Sequence, residues 1–483
     1  MILDLLSPVP RFARIDGPPL PLDPAVVTGS SADSPAWRAL ADLEPELLGP
    51  GGHGLRIREA GGRAAVTVAA ADRAGVLHAQ ATLDALLAAA ALTGQTGLPQ
   101  LSIRDEPALP WRGTIEGFYG PPWSHEERLD HLRFCARNKL NSYSYAPKDD
   151  PYHRERWREP YPPAELARLA ELVRLAEDLG VRFTYTIAPG LSMIYSSPDE
   201  QRLLFAKAEQ LWAVGVRSFA LLFDDIPAAL QHPADVAEFG AEEGAAGAAH
   251  GRVCAEFRDR FLVPRGGDRL AMAPTEYAGI ERSPYRTRLA ETLPQDALVW
   301  WTGCDIVVGT VSRADIDGAA AAFGRDLLLW DNFPVNDFDA TRLFLGPLLG
   351  RSTDLDGSRL HGISANPMVQ ASASRLALAT VADWAWNPAA YDPTASARRA
   401  ALAVAGSLAS ALLPLLAVTS GWPPSADRAP HLSPLLAPAL RREPEALERV
   451  DAALASLADL PTAVGEGSSP VVDQLRPWLA AAA

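Results

Sequence analysis

From Trp111 onward the sequence repeats one unit: a short apolar run, a loop rich in polar and aromatic residues, then an amphipathic stretch of helical spacing. Eight runs are strand candidates: Arg112–Phe118, Leu140–Tyr145, Arg182–Ile187, Ser218–Phe223, Leu270–Pro274, Leu298–Thr302, Leu327–Trp330 and Gly362–Ala365. Helical spacing between them is clearest at His125–Arg137, Pro163–Leu179 and Asp199–Val214, and weakest after Asn332. Strands that alternate with helices pair in parallel, because each connection must cross back over the sheet. Eight repeats predict closure into a (β/α)8 TIM barrel, an α/β fold. A doubly wound sheet is the structural alternative, but the sequence lacks a glycine-rich dinucleotide turn.

The repeat fixes the flanking regions. Residues 1–106 read as a small α/β domain. Ala64–Ala70 alternates as a strand does, Asp72 caps a helix running to Ala90, and Leu101–Arg104 leads into the prolines of Asp105-Glu-Pro-Ala-Leu-Pro. The barrel then occupies 107–388. Residues 389–483 read as a helical domain, with helices at Ala395–Leu413 and Glu443–Leu457, a Pro-rich loop at Gly421–Pro434, and a weakly patterned tail after Leu460 that is expected to fray.

The unusual residues fall just after the strands. In order, the strand ends read Glu116-Gly-Phe-Tyr-Gly-Pro-Pro-Trp, Tyr145-Ala-Pro-Lys-Asp-Asp, Ala188-Pro-Gly, Phe223-Asp-Asp-Ile, Pro274-Thr-Glu-Tyr, Trp301-Thr-Gly, Trp330-Asp-Asn and Ala365-Asn-Pro. In a barrel these ends converge on one face, where barrel enzymes carry their active sites. An isolated Asp-Asp is more often a turn or a cap. Asp224-Asp225, however, follows the wholly apolar Phe219–Phe223, which places both carboxylates at the barrel mouth beside aromatic loops. Like charges so close are expected to raise one pKa, as a general acid requires. The spacing also limits the mechanism. Retaining glycosidases place two carboxyl groups about 5 Å apart across the scissile bond. Neighbouring residues, with Cα atoms about 3.8 Å apart, come from one wall. A nucleophile carried by the substrate, such as a 2-acetamido group, removes that difficulty.

Other residues have two readings each. Lys148 either hydrogen-bonds sugar hydroxyls or pairs with Asp149 at the surface. Tyr277 donates to an acetamido oxygen or packs as a strand-end aromatic. Trp330 is core, or the apolar floor of a sugar pocket. Asn332, Asp337 and Asn366 recognise hydroxyls or form turns. His125 and His131 read as surface residues, six apart on one helix and off metal spacing, and His361 as structural.

Composition narrows the partners. A net charge of −15 weighs against nucleic acid and anionic membranes. Cys135, Cys254 and Cys304 form no CxxC pair, and no ligand cluster of metal spacing appears, so neither metal nor cofactor is expected. The sparse cysteines, together with a start lacking a signal-peptide pattern, predict a cytoplasmic protein. No apolar run of membrane-spanning length is evident. Lysine occurs only at 139, 148 and 207 in an arginine- and alanine-rich chain with a bacterial, high-GC look.

The segments Glu116-Gly-Phe-Tyr-Gly-Pro-Pro-Trp-Ser, Tyr145-Ala-Pro-Lys-Asp-Asp-Pro-Tyr-His, Phe223-Asp-Asp-Ile, Pro274-Thr-Glu-Tyr, Trp301-Thr-Gly, Trp330-Asp-Asn-Phe-Pro-Val-Asn-Asp and Asn366-Pro-Met resemble glycoside hydrolase family 84, in order, over Leu101 to Asp392. This is the family of O-GlcNAcases and bacterial β-N-acetylglucosaminidases. The resemblance implies a retaining exo-enzyme acting on GlcNAc-bearing glycoconjugates or glycoproteins through an oxazoline intermediate. Asp224 would polarise the acetamido N–H, and Asp225 would be general acid, then base. Tyr277 and Asn332 would orient the acetamido group and its aspartate, and Trp330 with Thr302 would line the acetyl pocket. Gly117, Lys148, Asp337 and Asn366 would bind sugar hydroxyls. Ala365-Asn-Pro departs from the usual Thr-Asn-Pro, and the flanking regions match loosely, which leaves aglycone preference and any homodimer contacts open. Two further readings are a hyaluronidase-type member of the family and an inactive sugar-binding barrel.

Overall fold

The computed structural model describes residues 2–21 and 48–481. An N-terminal antiparallel sheet has the strand order β1-β4-β2-β3, built from β1 (Phe12–Pro21), β2 (His53–Ala60), β3 (Arg63–Ala70) and β4 (Gly97–Asp105). The helix Arg73–Leu92 covers it. Asp72 accepts the Gly75 N–H as its cap, and the helix buries Leu83 and Leu86 against Leu55, Ile57, Leu101 and Ile103.

Eight parallel strands close the barrel: β5 (Trp111–Glu116), β6 (Ser142–Tyr145), β7 (Arg182–Ile187), β8 (Ser218–Leu222), β9 (Ala271–Ala273), β10 (Leu298–Trp301), β11 (Asp326–Asp331) and β12 (Leu360–Ala365). Each coincides with an expected run to within a few residues. The expected runs lead into the loops, because Gly117, Phe118, Phe223 and Pro274 are apolar residues just past the ends of their strands. The barrel interior is filled by Ile115, Ala220, Leu222, Ala271, Leu298 and Leu328, capped by three indoles. Trp111 and Trp300 meet edge-on, and both donate their ring N–H to the buried Ser364 hydroxyl, at 3.1 and 3.2 Å. Trp330 stands edge-on to Trp300 at 5.8 Å, one layer nearer the mouth.

The helix His125–Arg137 starts on a capping box, Ser124 with Glu127. Its His131 is fully buried rather than at the surface: it shares a 2.7 Å hydrogen bond with Thr114 on β5 and packs on Trp123. The helices Pro163–Asp178 and Pro198–Ala213 follow β6 and β7 as expected. Between β11 and β12 no α-helix forms. Residues 332–359 run as a long irregular loop that begins at the mouth, where Asn332, Val335, Asp337 and Phe338 line it, and returns to the start of β12.

The C-terminal helices buttress that loop. The Trp422 ring meets Phe333 and Phe344 edge-on, at 5.3 and 4.9 Å, and donates to the Val308 carbonyl. Arg342 donates to the Pro424 carbonyl at 2.6 Å, and Trp478 to the Thr341 carbonyl at 2.7 Å. The expected helix Ala395–Leu413 is two helices, Pro393–Ala405 and Ala409–Val418, broken where Gly406 takes φ +57°. The tail does not fray: Pro470–Ala481 is helical and buries Val471, Val472 and Leu475. Two helical stretches, Arg73–Leu92 and Pro393–Val418, are long and apolar enough to cross a bilayer by length and composition, contrary to the sequence reading. Their apolarity is largely alanine and leucine, and 44% and 33% of the two most apolar windows are buried inside the fold.

Candidate active site

Strand β8 delivers the aspartates. The Phe223 N–H donates to the Ala273 carbonyl at 2.8 Å, and the Thr275 hydroxyl to the Phe223 carbonyl at 2.8 Å, so the chain is pinned just before Asp224. Asp225 then takes φ +53°, a left-handed conformation that costs a β-carbon-bearing residue energy and is common at functional sites. The two side chains diverge in exposure, Asp224 at 9 % and Asp225 at 34 %.

Lys148 comes from the loop after β6 and points inward. Its Nζ donates to Asp224 Oδ2 at 2.7 Å and lies 3.7 Å from Asp225 Oδ2. It therefore pairs with Asp224 and Asp225 and not with Asp149 at the surface. The loop is fixed by Asp150, whose carboxylate accepts the Tyr145 hydroxyl (2.8 Å), the Tyr161 hydroxyl (2.6 Å) and the Tyr152 N–H (2.8 Å). Burial alone would raise the Asp224 carboxyl, but the Lys148 ammonium outweighs it and holds the group below its ordinary value. Burial likewise opposes the Lys148 charge, and Asp224 reverses this, so the lysine is raised. The carboxyl that like-charge repulsion is expected to raise is not Asp224, which a cation 76 positions away in sequence lowers.

Two phenols hold Asp225. Tyr119 donates to Oδ2 at 2.7 Å and Tyr277 to Oδ1 at 3.0 Å. Burial first, and the Asp225 charge second, raise the Tyr277 phenol, so it is a donor at any physiological pH. The Tyr277 carbonyl in turn accepts the Thr302 N–H at 3.0 Å, and the Thr302 hydroxyl donates to the Asp305 carbonyl at 2.9 Å.

The opposite wall is a chain of amides. Trp330 Nε1 donates to Asn332 Oδ1 at 3.1 Å, and Asn366 Nδ2 donates to the same oxygen at 3.0 Å. Asn332 Nδ2 donates to the Ile306 carbonyl at 2.7 Å, and the Gly117 N–H donates to Asn366 Oδ1 at 3.3 Å. Asn332 thus orients Trp330 and Asn366 and makes no hydrogen bond to either aspartate. Gly117 is a glycine because a β-carbon would sit 2.6 Å from the Trp330 ring. Beneath, Arg351 forms a buried bidentate pair with Asp331, at 2.6 and 2.7 Å, which anchors the end of β11. On the first strand, Glu116 is fully buried and holds Arg128 at 2.7 and 2.9 Å.

These walls enclose a cavity of about 270 Å³, near the lower limit for small-ligand pockets. All ten residues singled out from the sequence line it: Gly117, Lys148, Asp224, Asp225, Tyr277, Thr302, Trp330, Asn332, Asp337 and Asn366. Asp337 accepts the Tyr119 N–H at 2.8 Å. The sequence reading missed Tyr119, although it lies inside a quoted segment two residues past Gly117. It also missed Ala273, Trp300, Ile306, Val307, Val335 and Phe338, apolar residues whose type signals core as readily as pocket. Among the described residues, no three His, Cys, Asp or Glu side chains gather as a metal site.

Known proteins share both the sequence and the architecture. The family described as beta-N-acetylglucosaminidase matches residues 112–417. The protein O-GlcNAcases of Rattus norvegicus and Mus musculus are each 37% identical over 278 residues, 56% of this chain and 29% of theirs. The chain thus spans under a third of the length of these curated relatives. Among solved structures, CpGH84B superposes over 99% of this chain and 89% of its own, with TM-score 0.84 and 26% identity. An O-GlcNAc hydrolase of Thermobaculum terrenum superposes over 77% of this chain and 81% of its own, with TM-score 0.71 and 32% identity.

Proposed function

Because the chain belongs to the β-N-acetylglucosaminidases of glycoside hydrolase family 84, we propose that it removes one terminal β-linked GlcNAc from a glycoconjugate or O-GlcNAc protein, with the sugar's own 2-acetamido group as nucleophile. The observation that carries this is the shared cation. Both carboxylates come within 3.7 Å of the single Lys148 nitrogen, so they stand on one wall and cannot straddle a glycosidic bond. Asp224, kept anionic by Lys148, suits a partner for the acetamido N–H as that group attacks C1. Asp225, the more exposed of the two, suits the general acid for the leaving oxygen and then the base for water. The floor of Trp330 and Trp300, with Thr302 and Val307 beside it, suits an acetyl methyl. Gly117, Asp337 and Asn366 suit the hydroxyls.

A cavity of this size fits one sugar, which favours exo-action over the polymer-cleaving alternative. The free cysteines, Cys135 and Cys254 buried and Cys304 exposed, support a reducing, cytoplasmic setting. The test is stereochemical. Proton NMR of the first product from an aryl β-GlcNAc should show β-GlcNAc, and a GlcNAc-thiazoline, which mimics the bicyclic intermediate, should bind more tightly than GlcNAc. α-GlcNAc as first product, or equal affinity for the two ligands, would overturn the mechanism. Absence of turnover on every GlcNAc glycoside would leave a sugar-binding barrel.

A further inference from the structure

Asp225 is occupied in a way that a general acid cannot keep. To protonate a leaving oxygen, a carboxyl needs one oxygen that bears a proton and points it at the substrate. Here both oxygens receive protons from elsewhere, Oδ2 from Tyr119 at 2.7 Å and Oδ1 from Tyr277 at 3.0 Å. The Tyr119 phenol, the one on Oδ2, cannot readily turn into an acceptor. An arginine only donates, and Arg154 Nη1 lies 3.5 Å from the Tyr119 hydroxyl, which leaves the phenol proton for Asp225. Lys148, 3.7 Å from the same Oδ2, adds a further claim on the anion.

The groups facing Asp225 are therefore Tyr119 from the loop after β5, Lys148 and Arg154 from the loop after β6, Asp224 on its own strand, and Tyr277 from the loop after β9. Only one phenol is placed to leave. Tyr277 is only partly exposed and lines the cavity wall. Tyr119 is 48 % exposed, stands at the mouth, and precedes Gly120, whose φ is +102° and which has open space around it. The Tyr119 backbone stays tethered by Asp337 at 2.8 Å, so its ring can swing while its position in the loop is kept.

We propose that Tyr119 is a positioning residue that holds Asp225 as a carboxylate in the free enzyme and swings off it when a sugar binds. Asp225 then takes a proton from solvent and passes it to the leaving oxygen. This rests on the glycosidase reading. Tyr119 acts on the free enzyme and not on the complex, so the two kinetic parameters separate. The alkaline limb of kcat/KM reports the free enzyme's acid, whereas that of kcat reports the enzyme–substrate complex.

The experiment compares wild type, Tyr119→Phe and Arg154→Met on phenyl β-GlcNAc, whose leaving group needs protonation, from pH 4 to 10. With Tyr119→Phe, the alkaline limb of kcat/KM moves up by about one pH unit, the weight of one hydrogen bond to a charged group. The alkaline limb of kcat stays at its wild-type position. Arg154→Met moves the kcat/KM limb in the same direction by less. If both limbs move together, Tyr119 remains on Asp225 in the complex and the proposal is overturned; if neither moves, Tyr119 does not hold the acid. A wild type that turns over phenyl β-GlcNAc and loses that activity in Asp225→Ala keeps the glycosidase reading in place whatever Tyr119 does. A wild type without turnover removes that reading itself.

Discussion

Replacing Lys148 by methionine keeps much of the side chain's length and removes only its charge, and the structure sets the size of the effect. The Nζ–Oδ2 distance is 2.7 Å, and the two side chains are 5 % and 9 % exposed. At an effective dielectric of about 20, two charges at that distance attract by about 6 kcal/mol. Desolvation opposes this, and breaking such a buried pair costs roughly 3–5 kcal/mol. Without the ammonium, the burial that already pushes Asp224 upward acts unopposed. At about 1.4 kcal/mol per pH unit, a loss of that order is large enough to move a titration visibly, and its direction is upward. A protonated Asp224 cannot receive the acetamido N–H, so the acid limb of kcat/KM should move to higher pH. Stability carries the same sign. In the wild type the depressed Asp224 adds stability above about pH 4, lost as pH falls through its folded value. The raised Lys148 adds stability below about pH 10, lost as pH rises through its folded value. In the variant, ionising Asp224 instead costs stability, so the difference in Tm should widen from pH 4 to pH 7. An acid limb left in place, with activity lowered equally at every pH, would refute this reasoning and assign Lys148 to substrate hydroxyls alone.

Asp225→Ala should lose kcat/KM most steeply as the leaving group worsens, whereas Asp224→Asn should slow all aryl β-GlcNAc substrates by a similar factor, about 100-fold or more; a plot of log kcat/KM against leaving-group pKa separates them, and reversed slopes would exchange the roles. Burial lowers His131 and His250 to about 3 and His153 to about 4, so between about pH 6.5 and 4 the unfolded chain binds protons that the folded chain refuses, and stability falls with pH. Calorimetry at pH 5.5 in buffers of different ionisation heat should record net proton uptake on unfolding, and none would mean that these imidazoles are charged in the fold.

The barrel was legible because its signal is periodic. Each apolar strand and each amphipathic helix repeats a local rule, and convergence of the strand ends then follows from closure. Eight of the pocket residues, Lys148, Asp224, Asp225, Tyr277, Trp330, Asn332, Asp337 and Asn366, were legible for the same reason, as side chains out of place beside apolar strands, whereas Gly117 and Thr302 were legible only through the family resemblance. What stayed hidden depends on contacts far apart in sequence. His131 reads as a surface residue by type, yet Thr114 and Trp123 bury it. The lowered Asp224 depends on Lys148, and the tail helix is held by docking, with Gln474 accepting the Ala373 N–H. Ile306, Val335 and Phe338 carry no polar signal, and their loops have no period to read.

The bracing of the loop after β11 by the C-terminal region bears on how this protein could change over evolutionary time. Val335, Asp337 and Phe338 belong to the pocket, yet the loop that bears them rests on Trp422 and is tied to Pro424 and Trp478. The barrel is therefore not a self-contained cassette. A chimera that grafted this mouth loop onto a sister scaffold would need to bring the helices behind it. Drift in those helices, far from any sugar, is a route by which substrate preference can diverge while the aspartates stay fixed.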